Sequence, residues 1–195
     1  MKLNLLTRTH NRETYFKACR ASVESQTYKD INWIVGSDTE CPYYPQAIKL
    51  FKDYRQPLLI PQGHYHAPYN LYLNQMQELV KDGWIMAIDD DDNFTTPKAV
   101  QIIMNAIKSE DDLLIWKVQI TPNWIVPSNE TFGKYIKAMD FSGIGMCWHS
   151  KRKPDWGRIS MGDYRAAIQL INSGCKPVWI DRVLTATQRG PHNGK

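Results

Sequence analysis

Residues 84–94 read Trp84-Ile85-Met86-Ala87-Ile88-Asp89-Asp90-Asp91-Asp92-Asn93-Phe94. The first five form an unbroken apolar run of strand length. The next four are all carboxylates. A run of this kind predicts a strand covered on both faces, and the acid block then falls at its carboxyl end. Adjacent carboxylates repel at close range, and their pKa values climb unless a cation sits among them. Hard oxygen ligands suit Mg2+ or Mn2+, whose shells are completed by phosphate oxygens and water. An ion held this way neutralises a diphosphate leaving group. The plainer alternative is a solvated acidic turn, or a helix N-terminus that favours negative charge. The buried strand that feeds the block favours the ion site.

Working outward, strands and helices alternate. The patterns predict strands over Lys2–Leu6, Ile31–Val35, Leu58–Ile60, Leu113–Ile120 and Val178–Ile180, besides Trp84–Ile88. Helical spacing covers Glu13–Gln26, with Asn11 as a cap, and Pro45–Arg55. It also covers Tyr69–Val80, with Leu71, Leu73, Met76, Leu79 and Val80 turned inward. Thr96 caps a helix with Pro97 at its first position, running to about Lys108. A last helix, Tyr164–Ser173, stops at Gly174. This order predicts an α/β fold with a mainly parallel sheet. Ligands in such sheets bind at the carboxyl ends of the strands. The polar clusters Thr7–Arg12, Gly36–Glu40 and Asp89–Asp92 all follow strands. From about Pro122 the pattern is less regular. No linker divides the chain, so one domain is expected over residues 1–195.

The composition agrees. The chain has 195 residues, 43% hydrophobic and 23% charged. That excludes a disordered, collagen-like or coiled-coil chain. Lys plus Arg is 24 against 20 for Asp plus Glu, a net charge of +4. This mildly basic balance is compatible with an anionic partner such as a nucleotide or nucleic acid. No apolar run approaches the ~18 residues of a membrane span, and the N-terminus is too polar for a signal peptide. A cytoplasmic protein is expected. Cys19, Cys41, Cys147 and Cys175 show no metal-knuckle spacing and read as reduced core or edge thiols.

Further candidates lie outside the acid block. Asp163 follows Gly162 just before a helix and could accept a proton from a hydroxyl; its alternative role is a helix cap. Asp38, after the second strand, could accept hydrogen bonds from a ribose or base, or serve a turn. His64 and His66 have the spacing of a ligand pair on a strand, with loop packing or donor contact preferred. Trp148, His149 and Trp156 read either as an acceptor wall or as core.

Together these residues resemble a family 2 glycosyltransferase with the GT-A fold, in the nucleotide-diphospho-sugar transferase superfamily. Leu5-Leu6-Thr7-Arg8-Thr9-His10-Asn11-Arg12 is similar to the family's first strand and loop, with Arg8-Thr9-His10 as a departure. Ala18 to Asp38 resembles its first helix and second strand, where Ser37-Asp38 stands for a pair of Asp residues. Asn70 occupies the place of a family Asn, with Tyr69 replacing a basic residue. Asp89 to Asp92 resembles the Asp-x-Asp metal motif. Met161-Gly162-Asp163-Tyr164 resembles the catalytic-base motif, with Gly162 replacing an acid. The closing stretch from Ser173 to Gly190 resembles the family's Gly, strand and basic tail.

The resemblance implies a GT-A, Rossmann-like sheet, mixed and mainly parallel, flanked by helices. Residues 1–120 would form the nucleotide-sugar half and residues 121–195 the acceptor and base half. The implied activity is metal-dependent transfer of a sugar from a nucleotide-diphosphate donor, a UDP-sugar first among them, to an acceptor hydroxyl with inversion. Thr7, Arg8, Arg12, Asp38, Asn70, Asp90 and Arg189 would contact the donor. Asp89, Asp91, Asp92 and His192 would hold Mn2+ or Mg2+, and Asp163 would be the base. The acceptor is left open among a glycan, a protein and a modified nucleic acid base, as in phage DNA. Two other functions compete. A sugar nucleotidyltransferase would carry a Gly-rich first loop, which Arg8 to Glu13 lacks. A non-catalytic module would bind Ca2+ or carbohydrate through the acidic loop.

Overall fold

The computed structural model describes residues 1–51, 67–141 and 145–188. Its framework is one mixed, mostly parallel curled sheet. Strand β1 (Leu3–Thr9) pairs in parallel with β2 (Ile31–Ser37) on one side and β4 (Trp84–Ala87) on the other. The short β3 (Ile48–Lys49) extends this parallel half beyond β2. Strand β8 (Met146–His149) runs antiparallel between β4 and β6 (Asp112–Thr121). Strand β9 (Lys176–Thr187) then lies parallel to β6 and ends by pairing antiparallel with β5 (Asp92–Phe94). A hairpin strand, β7 (Trp124–Val126), pairs with β6 off the main path.

Period-2 alternation splits the core into two layers. Leu3, Leu5, Met86 and Trp116 face helices α1 (Glu13–Glu24) and α3 (Ala99–Asn105). Leu6, Ile85, Ala87, Ile115 and Trp148 face α2 (Leu71–Gln77) and α4 (Gly162–Asn172). A sheet covered on both faces needs near-continuous apolar strands, and β4 supplies one.

Several boundaries differ from the sequence expectation, each for a local reason. Strand β1 runs through Thr7, Arg8 and Thr9, because Thr7 is fully buried and its hydroxyl accepts the Trp33 indole N–H at 2.9 Å. Asn11 does not cap α1; it takes a left-handed φ of 48°, and Arg12 stands at the cap position without a side-chain bond to the helix end. The region expected as a helix from Pro45 holds β3 instead, as far as it is described. The strand expected over Leu58–Ile60 lies outside the described residues, as do His64 and His66. Helix α2 is preceded by a 3-10 turn, Pro68–Asn70, and Leu79 is 54% exposed rather than inward. Helix α3 starts at Ala99, after Thr96 and Pro97, and ends at Asn105.

The largest difference is β9. Asp181 and Arg182 look like a stop after Ile180, yet the strand continues to Thr187. The Lys117 ammonium meets Asp181 at 2.5 Å, and a register irregularity opposite Trp116 to Val118 absorbs the change. Trp148 and Trp156 are core, not an acceptor wall: they are buried, with ring centroids 6.0 Å apart. His149 pairs in register with Trp84 at the start of β4, so it sits at the edge opposite the acid block. All four cysteines are free, and Cys19, Cys147 and Cys175 are buried, as expected of core thiols. No described helix is long and apolar enough to cross a membrane.

Ile85 is fully buried within β4, whereas Ile125 on the hairpin is exposed. Ile85→Ala is expected to cost about 2–5 kcal/mol in denaturant unfolding, and Ile125→Ala under about 0.5 kcal/mol.

Candidate active site

The parallel register brings the carboxyl ends of β1, β2 and β4 to one edge. Leu6 sits opposite Ala87, and Thr9 opposite Ser37. Arg8 and Thr9 on β1, Asp38 after β2 and the acid block after β4 therefore converge.

The four aspartates are not equivalent. Asp90 is fully buried and belongs to the scaffold. The Arg12 guanidinium grips both its oxygens, one of them through Nε at 3.0 Å, and the Thr9 hydroxyl donates to it at 2.6 Å. Tyr43 completes this knot, with its hydroxyl 3.0 Å from that of Thr9 and accepting the Arg12 backbone N–H at 3.2 Å. Asp89 is gripped by Arg8 through a two-pronged fork, Nε to Oδ1 at 2.6 Å and Nη2 to Oδ2 at 2.7 Å. Asp91 accepts from Arg12 Nη1 at 3.0 Å. Asp92 begins β5, and its partner across the ladder is Thr187 of β9. The backbone N–H of Gln188 donates to the Asp91 carbonyl at 2.7 Å, so the end of β9 ties down the acid loop.

Asp91 and Asp92 are each 5% exposed, which rules out a solvated acidic turn. Burial pushes Asp92 well above the usual carboxylate range, and the charges of Asp89, Asp91 and Asp163 push it further. Burial likewise raises Asp90 to about 6, although Arg12 and Thr9 pull it down. Burial alone would lower the two arginines, but Asp89 holds Arg8 up and Asp90 and Asp91 hold Arg12 up. Arg8 and Arg12 thus bond Asp89, Asp90 and Asp91, while Asp92 sits among like charges. Oxygens of Asp89, Asp91 and Asp92 lie within 4.8 Å of one another. Three hard carboxylate donors at that spacing, with one pushed up by its neighbours, fit a divalent ion such as Mg2+ or Mn2+.

Asp163 lies in the first turn of α4. Its charge acts on both Arg8 and Asp92, which places it at the same edge. Met161 before it takes a left-handed φ of 62°, a conformation that costs a non-glycine residue energy. Gly162 has a steric reason: a Cβ there would meet Asn70 Nδ2 at 2.7 Å. Asn70 donates to the Ile159 carbonyl at 3.0 Å and accepts from Arg8 at 3.2 Å, so it links the segment before Asp163 to Arg8.

Asp38 is nearly buried, with a 4% exposed side chain. It accepts from His10 Nδ1 at 2.6 Å and from the Tyr72 hydroxyl. Beside it a cavity of about 400 Å3 is lined by Ser37, Asp38, Cys41, Tyr44 and Ile48. Arg189 and His192 lie outside the described residues. Thr7 sits behind the edge, occupied by Trp33. Thr9 and His10 fall in the polar cluster after the first strand but carry no individual role in the sequence, and Tyr43 and Tyr72 are unmarked, since each gains its role only through contacts distant in the chain.

No family model matches the chain, and no curated protein sequence matches it. Solved structures do match its fold. S. aureus TarS 1-349 in complex with UDP-GlcNAc is similar with a TM-score of 0.67 and 15% identity, over 100% of this chain and 60% of that one. The mannosyltransferase PcManGT from Pyrobaculum calidifontis, in complex with GDP-Man and Mn2+, gives 0.59 and 9%, over 99% and 58%. The bifunctional IspDF from Campylobacter jejuni gives 0.54 and 8%, over 93% and 50%. The architecture is thus the GT-A, Rossmann-like fold of nucleotide-diphospho-sugar transferases. The chain spans 60% of the length of the TarS fragment.

A carboxylate whose folded pKa is raised favours the folded state below the unfolded value, here 3.8. That contribution is lost as pH rises through the folded value, about 6 for Asp90 and raised also for Asp92. Asp92→Asn removes one repelling charge. It is expected to stabilise the metal-free protein by about 1–2 kcal/mol at pH 8 and to flatten the pH slope, as read by urea unfolding in chelator.

Proposed function

We propose that the chain is a glycosyltransferase that takes a sugar from a nucleotide-diphosphate donor, a UDP-sugar first among them, and passes it to an acceptor hydroxyl. The observation that carries this reading is the meeting of Asp89, Asp91, Asp92 and Asp163 at the ligand-binding edge of a GT-A sheet. The fold neighbours were solved with UDP-GlcNAc and with GDP-Man and Mn2+, which supports the donor class.

Asp89, Asp91 and Asp92 would hold Mn2+ or Mg2+, which supplies positive charge to the diphosphate as it leaves. The cavity beside Asp38 has the volume for a nucleoside, with Tyr44 as an aromatic wall. Asp38, already oriented by His10 and Tyr72, presents a fixed acceptor there. Arg8, Arg12 and Asn70 would contact the donor, and Asp90 anchors Arg12 from within. Thr7 supports the nucleoside side through Trp33, Arg189 is assigned to the donor diphosphate, and His192 to the metal shell.

Asp163 takes the proton of the acceptor hydroxyl as that oxygen bonds to the anomeric carbon. The bond from that carbon to the phosphate oxygen breaks on the opposite face, so configuration inverts. The two-part division at residue 120 follows the same logic, with all donor groups but Arg189 before it and Asp163 after it. The acceptor is a glycan, a protein or a modified nucleic acid base.

The test is a panel of nucleotide sugars assayed with Mn2+ for donor hydrolysis or transfer. Asp163→Asn is expected to lower the rate about 100-fold or more while leaving thermal stabilisation by UDP and Mn2+ intact. A rate near that of the native protein would remove Asp163 from the role of base. Stabilisation by Ca2+ alone, without any effect of UDP, would favour a non-catalytic module.

A further inference from the structure

Arg8, near the end of β1, departs from the resemblance together with Thr9 and His10, and its contacts are unlike those of Arg12. The Arg12 fork closes on Asp90, which is fully buried and outside the trio suited to a metal. The Arg8 fork closes on Asp89, one of that trio, and engages both its oxygens at 2.6 and 2.7 Å. The third nitrogen of Arg8 points away from Asp89. It donates to the Tyr69 carbonyl at 3.1 Å and to Asn70 Oδ1 at 3.2 Å, and the Tyr69 ring covers the guanidinium at 5.0 Å. Asn70 is itself pinned, against the Ile159 carbonyl and close to Gly162. Arg8 therefore keeps a backstop of its own if it loses Asp89. Its side chain is 11% exposed, so the positive charge stays partly desolvated beside the cluster.

We infer that Arg8 is a resident counter-cation of the acid cluster, which competes with the divalent ion for Asp89 and releases it when the donor diphosphate takes the guanidinium. The inference rests on the metal and donor reading proposed above. Two facts of chemistry carry it further. A unit positive charge a few ångströms from a divalent ion opposes its binding in a partly buried site. A guanidinium fork that suits a carboxylate also suits a phosphate, so the diphosphate offers Arg8 an equivalent partner without moving it off Asn70. Ion and diphosphate then favour one another through Arg8 as well as by direct contact, and by linkage the effect is reciprocal.

The experiment titrates the full chain with Mn2+ and follows free ion by electron paramagnetic resonance, with and without UDP. Without UDP, Arg8→Gln is expected to bind Mn2+ about tenfold more tightly than the native protein. Arg8→Lys, which keeps the charge, is expected to stay within about threefold of native and serves as the folding control. UDP is expected to tighten Mn2+ binding more in the native protein than in Arg8→Gln. Unchanged or weaker binding by Arg8→Gln overturns the inference, as does an equal gain from UDP in both proteins. If no protein takes up Mn2+ even with UDP, the metal reading itself fails and the inference goes with it.

Discussion

Four carboxylates in sequence at the mouth of a buried strand repel one another, and three of them are almost wholly removed from water. The fold answers this with arginines delivered from the neighbouring parallel strand. Because Leu6 of β1 pairs with Ala87 of β4, Arg8 arrives beside Asp89, and the loop that follows brings Arg12 onto Asp90 and Asp91. The same compensation leaves Asp92 among like charges.

The surrounding structure keeps that edge rigid. Strained backbone stands just before each of two key groups, at Asn11 before Arg12 and at Met161 before Gly162-Asp163. Such conformations persist only where neighbours hold them. Asn70 does this on one side, reaching Arg8, the Ile159 carbonyl and the backbone of Gly162. Strand β9 does it on the other, by pairing Thr187 with Asp92 and bonding Gln188 to Asp91. Preorganised charge of this kind can act on a reacting group without reorganising first.

Much of this was legible in the sequence where burial and periodicity coincide. Trp84–Ile88 reads as a strand because every residue is apolar, and the acid block then marks the ligand edge. The alternation of strands and helices gives the α/β class, and Asp38, Asn70 and Asp163 lie toward that edge. Other parts were hidden for physical reasons. The polar end of β1 and the charged middle of β9 look like stops, because the Trp33 and Lys117 partners that accommodate them are distant in sequence. Trp148 and Trp156 could not be assigned to core or surface before their packing was known. Four identical aspartates carry no internal label, and only the arginine pairing separates scaffold Asp90 from the trio Asp89, Asp91 and Asp92.

The central claim is that this trio is completed by a divalent ion bound together with a nucleoside diphosphate. Anomalous diffraction from crystals grown with Mn2+ and UDP tests it most directly. The account predicts an anomalous peak in contact with carboxylate oxygens of the trio and with the UDP phosphates. UDP bound at the sheet edge with no peak among those aspartates would contradict it.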